Sequence, residues 1–205
     1  MLQRSATAFA VMTVLAACGP TGESRVDTTT ATGDVEPSMD TVLATEPAEL
    51  PTTDAGIVEL EMAIDRHEVE AARLAIDKAE RAEVKRFARE IADEHARDTT
   101  AIGHLALREK IVATGLSPGG GILGTLKTSH EKTMEALRAS NGAAFDRSFM
   151  DAIVDGHQQV LEVLQHTHHG VQNAQLQNHV SSAITMAQRH LDRAIALVRA
   201  LESGE

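Results

Sequence analysis

Proline decides most of what this chain can fold into. It occurs five times in 205 residues, at positions 20, 37, 47, 51 and 118, so the tracts 55–117 and 119–205 contain none. Proline removes a backbone donor and breaks helix interiors, and two proline-free tracts of this length leave room for long helices. The side chains agree. Trp and Tyr are absent and Phe occurs four times, so a core has to be built from Ala, Leu, Ile, Val and Met, which suits closely packed helices. The same scarcity argues against a base-stacking surface or an aromatic sugar platform. Thirty acidic against nineteen basic residues argue against nucleic acid or an anionic membrane face as partner, because both select for Lys and Arg.

The N-terminus reads as an address. Met1 to Ala17 carry one basic residue, Arg4, followed by an apolar run from Ala6 to Leu15. That run is too short to span a bilayer and has the form of a secretory signal peptide. It closes on Leu15-Ala16-Ala17-Cys18, which resembles the bacterial lipobox, and Cys18 is the only cysteine in the chain. The expectation is a lipoprotein acylated on Cys18 and anchored in the cell envelope, with no intramolecular disulfide. Gly19 follows, not the Asp that marks inner-membrane retention in many enteric bacteria, and this favours the outer membrane. Residues 18–53 are rich in Thr, Pro, Glu and Asp, with Arg25 the sole basic residue. Such a composition buries too little apolar surface to offset ordering entropy, so it predicts a disordered acidic tether holding a periplasm-facing domain at 54–205.

Within that domain, apolar periodicity predicts four long helices and one shorter crossover helix: an all-α four-helix bundle. The first runs from about Asp54, a plausible N-cap, to Ala79, with Leu60, Ile64, Ala71, Leu74 and Ala75 on one face. A tight connection leads into the second, about Glu83 to Lys110, whose stripe is Val84, Phe87, Ala88, Ile91, Ile102 and Leu105. Gly115–Gly121 reads as a loop. A weaker helix from about Leu123 to Arg138 is the crossover. The third long helix spans about Ala143 to His168, with Gly170 at the expected C-cap, and the fourth about Ala174 to Leu201.

Histidine interrupts these stripes. His95 sits where a leucine would be the ordinary choice. Phe87-x3-Ile91-x-Asp93-x-His95 is echoed by Phe149-x3-Ile153-x-Asp155-x-His157, which places the two histidines at matching depths. Glu68, His95, His157 and His190 all fall near the midpoints of the four long helices. At about 1.5 Å rise per residue, antiparallel pairing brings them to one level of the bundle.

The same residues carry a family likeness. Glu68-Val-Glu-x3-Leu74-Ala, then Glu83-Val-Lys-x-Phe87-Ala-x6-His95, resembles the bacterial domain-of-unknown-function family 4142. Gly142-Ala-Ala-Phe145-Asp146-x2-Phe149-Met150, His157 and His190-Leu191 extend the likeness over about residues 55–201. The resemblance implies a ferritin-like bundle in an exported or outer-membrane protein and implies no particular activity. Thr185 stands where the family commonly has proline, so the last helix is expected to run straighter.

Two readings of the polar layer are open. One carboxylate and three imidazoles have the ligand types for zinc, copper, nickel or iron. Alternatively, the histidines hydrogen-bond one another, Asp98, Asp146 or backbone, and specify helix register. The residues three before the histidines are Ala92, Val154 and Ala187, so the paired Glu-x-x-His motifs of di-iron carboxylate proteins are missing. His166, His168 and His169 cluster where cationic imidazole suits a helix C-terminus, and they form a second, weaker candidate for metal. No nucleophile elbow or phosphate loop is present. The chain therefore reads as a lipid-anchored, non-enzymatic binding or structural module of unidentified partner, with a metal-binding or metal-dependent redox protein as the alternative.

Overall fold

The computed structural model describes residues 49–112 and 120–203. The signal peptide, Cys18, most of the tether and most of the Gly115–Gly121 loop lie outside the described residues. Five helices and no strand occur among the described residues: α1 Asp54–Lys78, α2 Ala82–Glu109, α3 Gly121–Ala139, α4 Gly142–His168 and α5 Ala174–Ser203. None of these helices is long and apolar enough to cross a membrane.

Short links make α1–α2 and α4–α5 antiparallel hairpins. The hairpins pack through α2 against α5 and α1 against α4, while α3 lies against α1 and α4. The chain is thus an all-helical four-helix bundle with one helical crossover, the connectivity that short intra-hairpin links and a single long connection produce.

Each hairpin turn is tied by a carboxylate from the other hairpin. Asp146 of α4, fully buried, accepts hydrogen bonds from the backbone N–H of Glu80 (2.9 Å) and Arg81 (2.8 Å) between α1 and α2. At the opposite end, Asp54 of α1 accepts from Gln172 (2.8 Å) and Asn173 (2.9 Å) between α4 and α5. These bonds satisfy donors at helix starts that would otherwise have no partner. Asp54 is therefore a cross-tie, and the N-cap of α1 is Thr53, whose hydroxyl accepts from Gly56 N at 3.1 Å. The sequence expectation at Gly170 is also corrected: α4 ends at His168, followed by His169 in right-handed geometry. Among the described residues the left-handed positions are Lys110 (φ 56°), which ends α2, Gly121 (φ 55°), which opens α3, and Gly142 (φ 58°), which opens α4. At Gly142 a Cβ would also meet the Glu80 carboxylate at 3.1 Å.

The apolar interior falls into two clusters. One contains Ala72, Phe87, Ile91, Phe149, Ile153 and Ala194, the other Leu60, Ile64, Ile102, Val160, Val180 and Ala187. On α2 the break between them contains His95 and on α4 His157, while on α5 His190 lies next to it, between Ala187 and Leu191 of the second cluster. Buried polar groups are costly unless satisfied, so a polar layer cutting the core in two calls for a chemical reason.

Candidate metal centre

Each imidazole of this layer enters from a different helix: α2, α4 and α5. His95, His157 and His190 are all buried. Their ring centroids lie 5.3 Å apart for His95–His190 and His157–His190, and 5.9 Å for His95–His157. One ligand nitrogen from each lies within 4.8 Å of the other two.

The outward-facing nitrogens decide the tautomers. His95 Nδ1 is 2.9 Å from Asp65 Oδ1, His157 Nδ1 is 3.1 Å from the Ile153 carbonyl, and His190 Nε2 is 2.7 Å from Glu94 Oε2. All three partners accept, so each of these nitrogens carries the proton and donates. In a neutral ring the other nitrogen then presents a lone pair. Those remaining nitrogens point inward: His95 Nε2 is buried with no hydrogen-bond partner, and His157 Nε2 faces His190 Nδ1 at 3.3 Å. Two lone pairs facing at that distance repel unless a cation lies between them. Tetrahedral zinc with Zn–N bonds of roughly 2.0–2.1 Å separates its ligand nitrogens by about 3.3 Å.

Protonation favours the same arrangement at two of the three rings. Burial, reinforced by the neighbouring histidines, pushes the His190 pKa down to about 4. Burial lowers that of His157 as well, against the pull of Glu68. Both rings are therefore neutral near pH 7. Burial also opposes charge on His95, but the hydrogen bond to Asp65 and the carboxylates of Glu68 and Asp98 outweigh it and raise its pKa. Asp65 is itself raised by burial, so the buried pair holds one proton between its two partners. Thr99 Oγ1 lies 3.0 Å from both Asp65 Oδ2 and the His95 carbonyl and positions the carboxylate. Glu94 lies lower than an ordinary carboxyl: partial burial works against this, and hydrogen bonds from His190 and Arg189 prevail.

Glu68 takes a different place from the three histidines. Its Oε1 is 3.6 Å from His157 Nδ1, the nitrogen committed to Ile153, so it stands behind that ring and not at the inward point. The α1 carboxylate in contact with the layer's inward histidine is Asp65, one turn earlier. The visible signal was Glu61, Asp65 and Glu68 at i, i+4 and i+7, a carboxylate stripe along the buried face of α1. His166 and His169 are exposed, and His168 Nε2 bonds Ser181 Oγ at 2.9 Å. The three are not among the groups of ligand atoms within 4.8 Å found in the described residues.

His179 gave no signal in the sequence. Its Nε2 is 3.1 Å from Glu61 Oε2 and 3.3 Å from Asp98 Oδ2. Burial disfavours its charge, yet the two carboxylates raise its pKa to about 10. Glu90, Glu94 and His190 form a further group, but Arg193 and Arg189 already pair with these two carboxylates.

Fold and site together define a helical-bundle protein with a buried three-histidine cluster at mid-height. The chain belongs to the DUF4142 family: the family profile, described as a domain of unknown function, matches residues 41–197. Among curated proteins none matches this sequence. Among solved structures it is similar to one described as "CopM in the Cu(II)-bound form". That similarity has a TM-score of 0.56 at 17% identity, over 72% of this chain and 96% of that one. At this identity the likeness speaks for the fold.

Proposed function

We propose that this protein binds one transition-metal ion, copper or zinc, on His95, His157 and His190. We propose further that it does so as a non-enzymatic module anchored through Cys18 to the bacterial envelope, facing the periplasm. A single observation carries the metal reading: three buried imidazole nitrogens converge while each opposite nitrogen is fixed by an acceptor, and those of His157 and His190 face each other as lone pairs at 3.3 Å. Metal-bound histidines are typically held in this way, with the second nitrogen donating to a carboxylate or carbonyl. Neutral imidazole is a ligand for both cations. The Cu(II)-bound form of the structurally similar CopM adds support for copper. Glu68 is left as an outer partner of His157.

The test is metal analysis of untagged protein purified from the periplasmic side, followed by calorimetric titration of stripped protein with Zn²⁺ and Cu²⁺. His157→Ala is expected to abolish one stoichiometric site and the melting shift that accompanies it. Protein that stays metal-free, with melting unchanged by either ion, refutes the proposal and leaves a structural or binding module whose histidines fix helix register. The anchor is tested separately, because Cys18→Ser should move the protein from the membrane pellet to the soluble fraction.

A further inference from the structure

We propose a second cation site, independent of the three-histidine cluster, formed by Glu61 of α1, Asp98 of α2 and His179 of α5. Its ligand is a divalent first-row cation of the zinc or ferrous type.

The first observation is convergence. One ligand atom from each residue lies within 4.8 Å of the other two, and the imidazole nitrogen is 3.1 and 3.3 Å from the two carboxylates. Those separations are what ligands about 2.0–2.2 Å from a shared centre would show. The second observation is Glu61 itself. It is 3% exposed, and neither of its carboxylate oxygens has a hydrogen-bond partner. His179 Nε2 is likewise buried without an aligned partner, so its approach to Glu61 is an ion-pair contact, with the ring nitrogen directed between the carboxylates. A buried carboxylate left in this state is among the most costly groups in a protein interior.

Packing does not explain that cost, since the surrounding positions Ile64, Val160 and Leu164 would accept an apolar neighbour in place of Glu61. A cation would offset it. The two anions that attract a proton to His179 attract a dication more strongly, and the metal takes the nitrogen lone pair as that proton leaves. Two carboxylate oxygens and one imidazole form a harder ligand set than three imidazoles, so this site favours Zn²⁺ or Fe²⁺ over the softer Cu(I).

The site is also placed to communicate with the other. On α2, Asp98 is three residues from His95; on α1, Glu61 is four from Asp65. A cavity of about 10 Å³, the room of a single water, is lined by Glu61 and Asp98 on one side and Asp65 and His95 on the other.

The experiment titrates metal-stripped full-length protein with Zn²⁺ by calorimetry and follows Co²⁺ as a spectroscopic probe, in wild type, Glu61→Gln, His179→Gln and His157→Ala. Wild type should take up two equivalents. Glu61→Gln and His179→Gln should each lose one and keep the other, and His157→Ala should lose only the equivalent that the two Gln variants retain. One equivalent persisting in His157→Ala and disappearing in the His157→Ala/Glu61→Gln double variant upholds this site even if the three-histidine reading fails. Glu61→Gln keeps the side-chain volume and a carbonyl acceptor beside His179, and circular dichroism of each metal-free variant guards against trivial unfolding. Unaltered stoichiometry in both Gln variants overturns the proposal.

Discussion

Acidification should weaken Zn²⁺ capture by the three-histidine cluster with the signature of one proton, not three. The perturbation is a drop from pH 6.5 to 5.5 in a His179→Gln background, which silences the second site. Metal binding requires neutral imidazole, so affinity falls according to the protons that must leave. Three free imidazoles of ordinary pKa, about 6.5, would lose on the order of 10²-fold over that unit. In this bundle His190, with its pKa near 4, is roughly 97% neutral even at pH 5.5. His157 is shifted the same way by burial. Only His95 is raised, through Asp65, and the proton held by that pair counts once. The expected loss is therefore between about five- and tenfold, or roughly 1.0–1.4 kcal/mol. Competition against a chromophoric chelator, corrected for the chelator's own titration, measures it. Asp65→Asn is the internal control: it removes the charge that raises His95, so it should flatten the pH dependence while weakening binding about 10- to 100-fold. A loss near a hundredfold in the parent would show that His157 and His190 do take up protons, and a loss below twofold that His95 carries none. Either result refutes the assigned protonation states.

Two further outcomes follow from the same geometry. Asp146→Ala strips both acceptors from the α1–α2 turn and leaves two backbone donors unsatisfied; at about 1.5–3 kcal/mol per hydrogen bond to a charged group, urea unfolding should show a loss of roughly 3 kcal/mol or more. Metal-free protein should also lose stability in alkali: His179 has a folded pKa of about 10 against about 6.5 unfolded. Its contribution is complete below pH 6.5 and is lost as pH rises through 10, so the melting temperature should fall across that window in wild type and much less in His179→Gln.

Much of this architecture was legible residue by residue. The proline-free tracts and the apolar stripes through Phe87, Ile91 and Ile153 located the long helices. His95, His157 and His190 were placed at one level by counting residues, and their rings do meet. Asp54 was misread because a carboxylate at a helix start has the same local signature whether it caps its own helix or reaches 118 residues away. His179 was passed over because it lies on a face that becomes buried only when α1 and α2 present Glu61 and Asp98 to it.

What sequence alone determined was depth: helical rise is constant, so a residue's height along a paired bundle can be counted. What only the tertiary structure decided was rotation. A side chain about 60° off its stripe can face the axis or a seam between helices, and the neighbouring helices choose. That choice put Asp65 behind His95, set Glu68 behind His157 and brought Glu94 of α2 onto His190 of α5. With those outer partners in place the protons of His157 and His190 turn outward and their lone pairs inward. At His95 and His190 the fixing hydrogen bond crosses between helices, so no single stretch of the chain contains the arrangement.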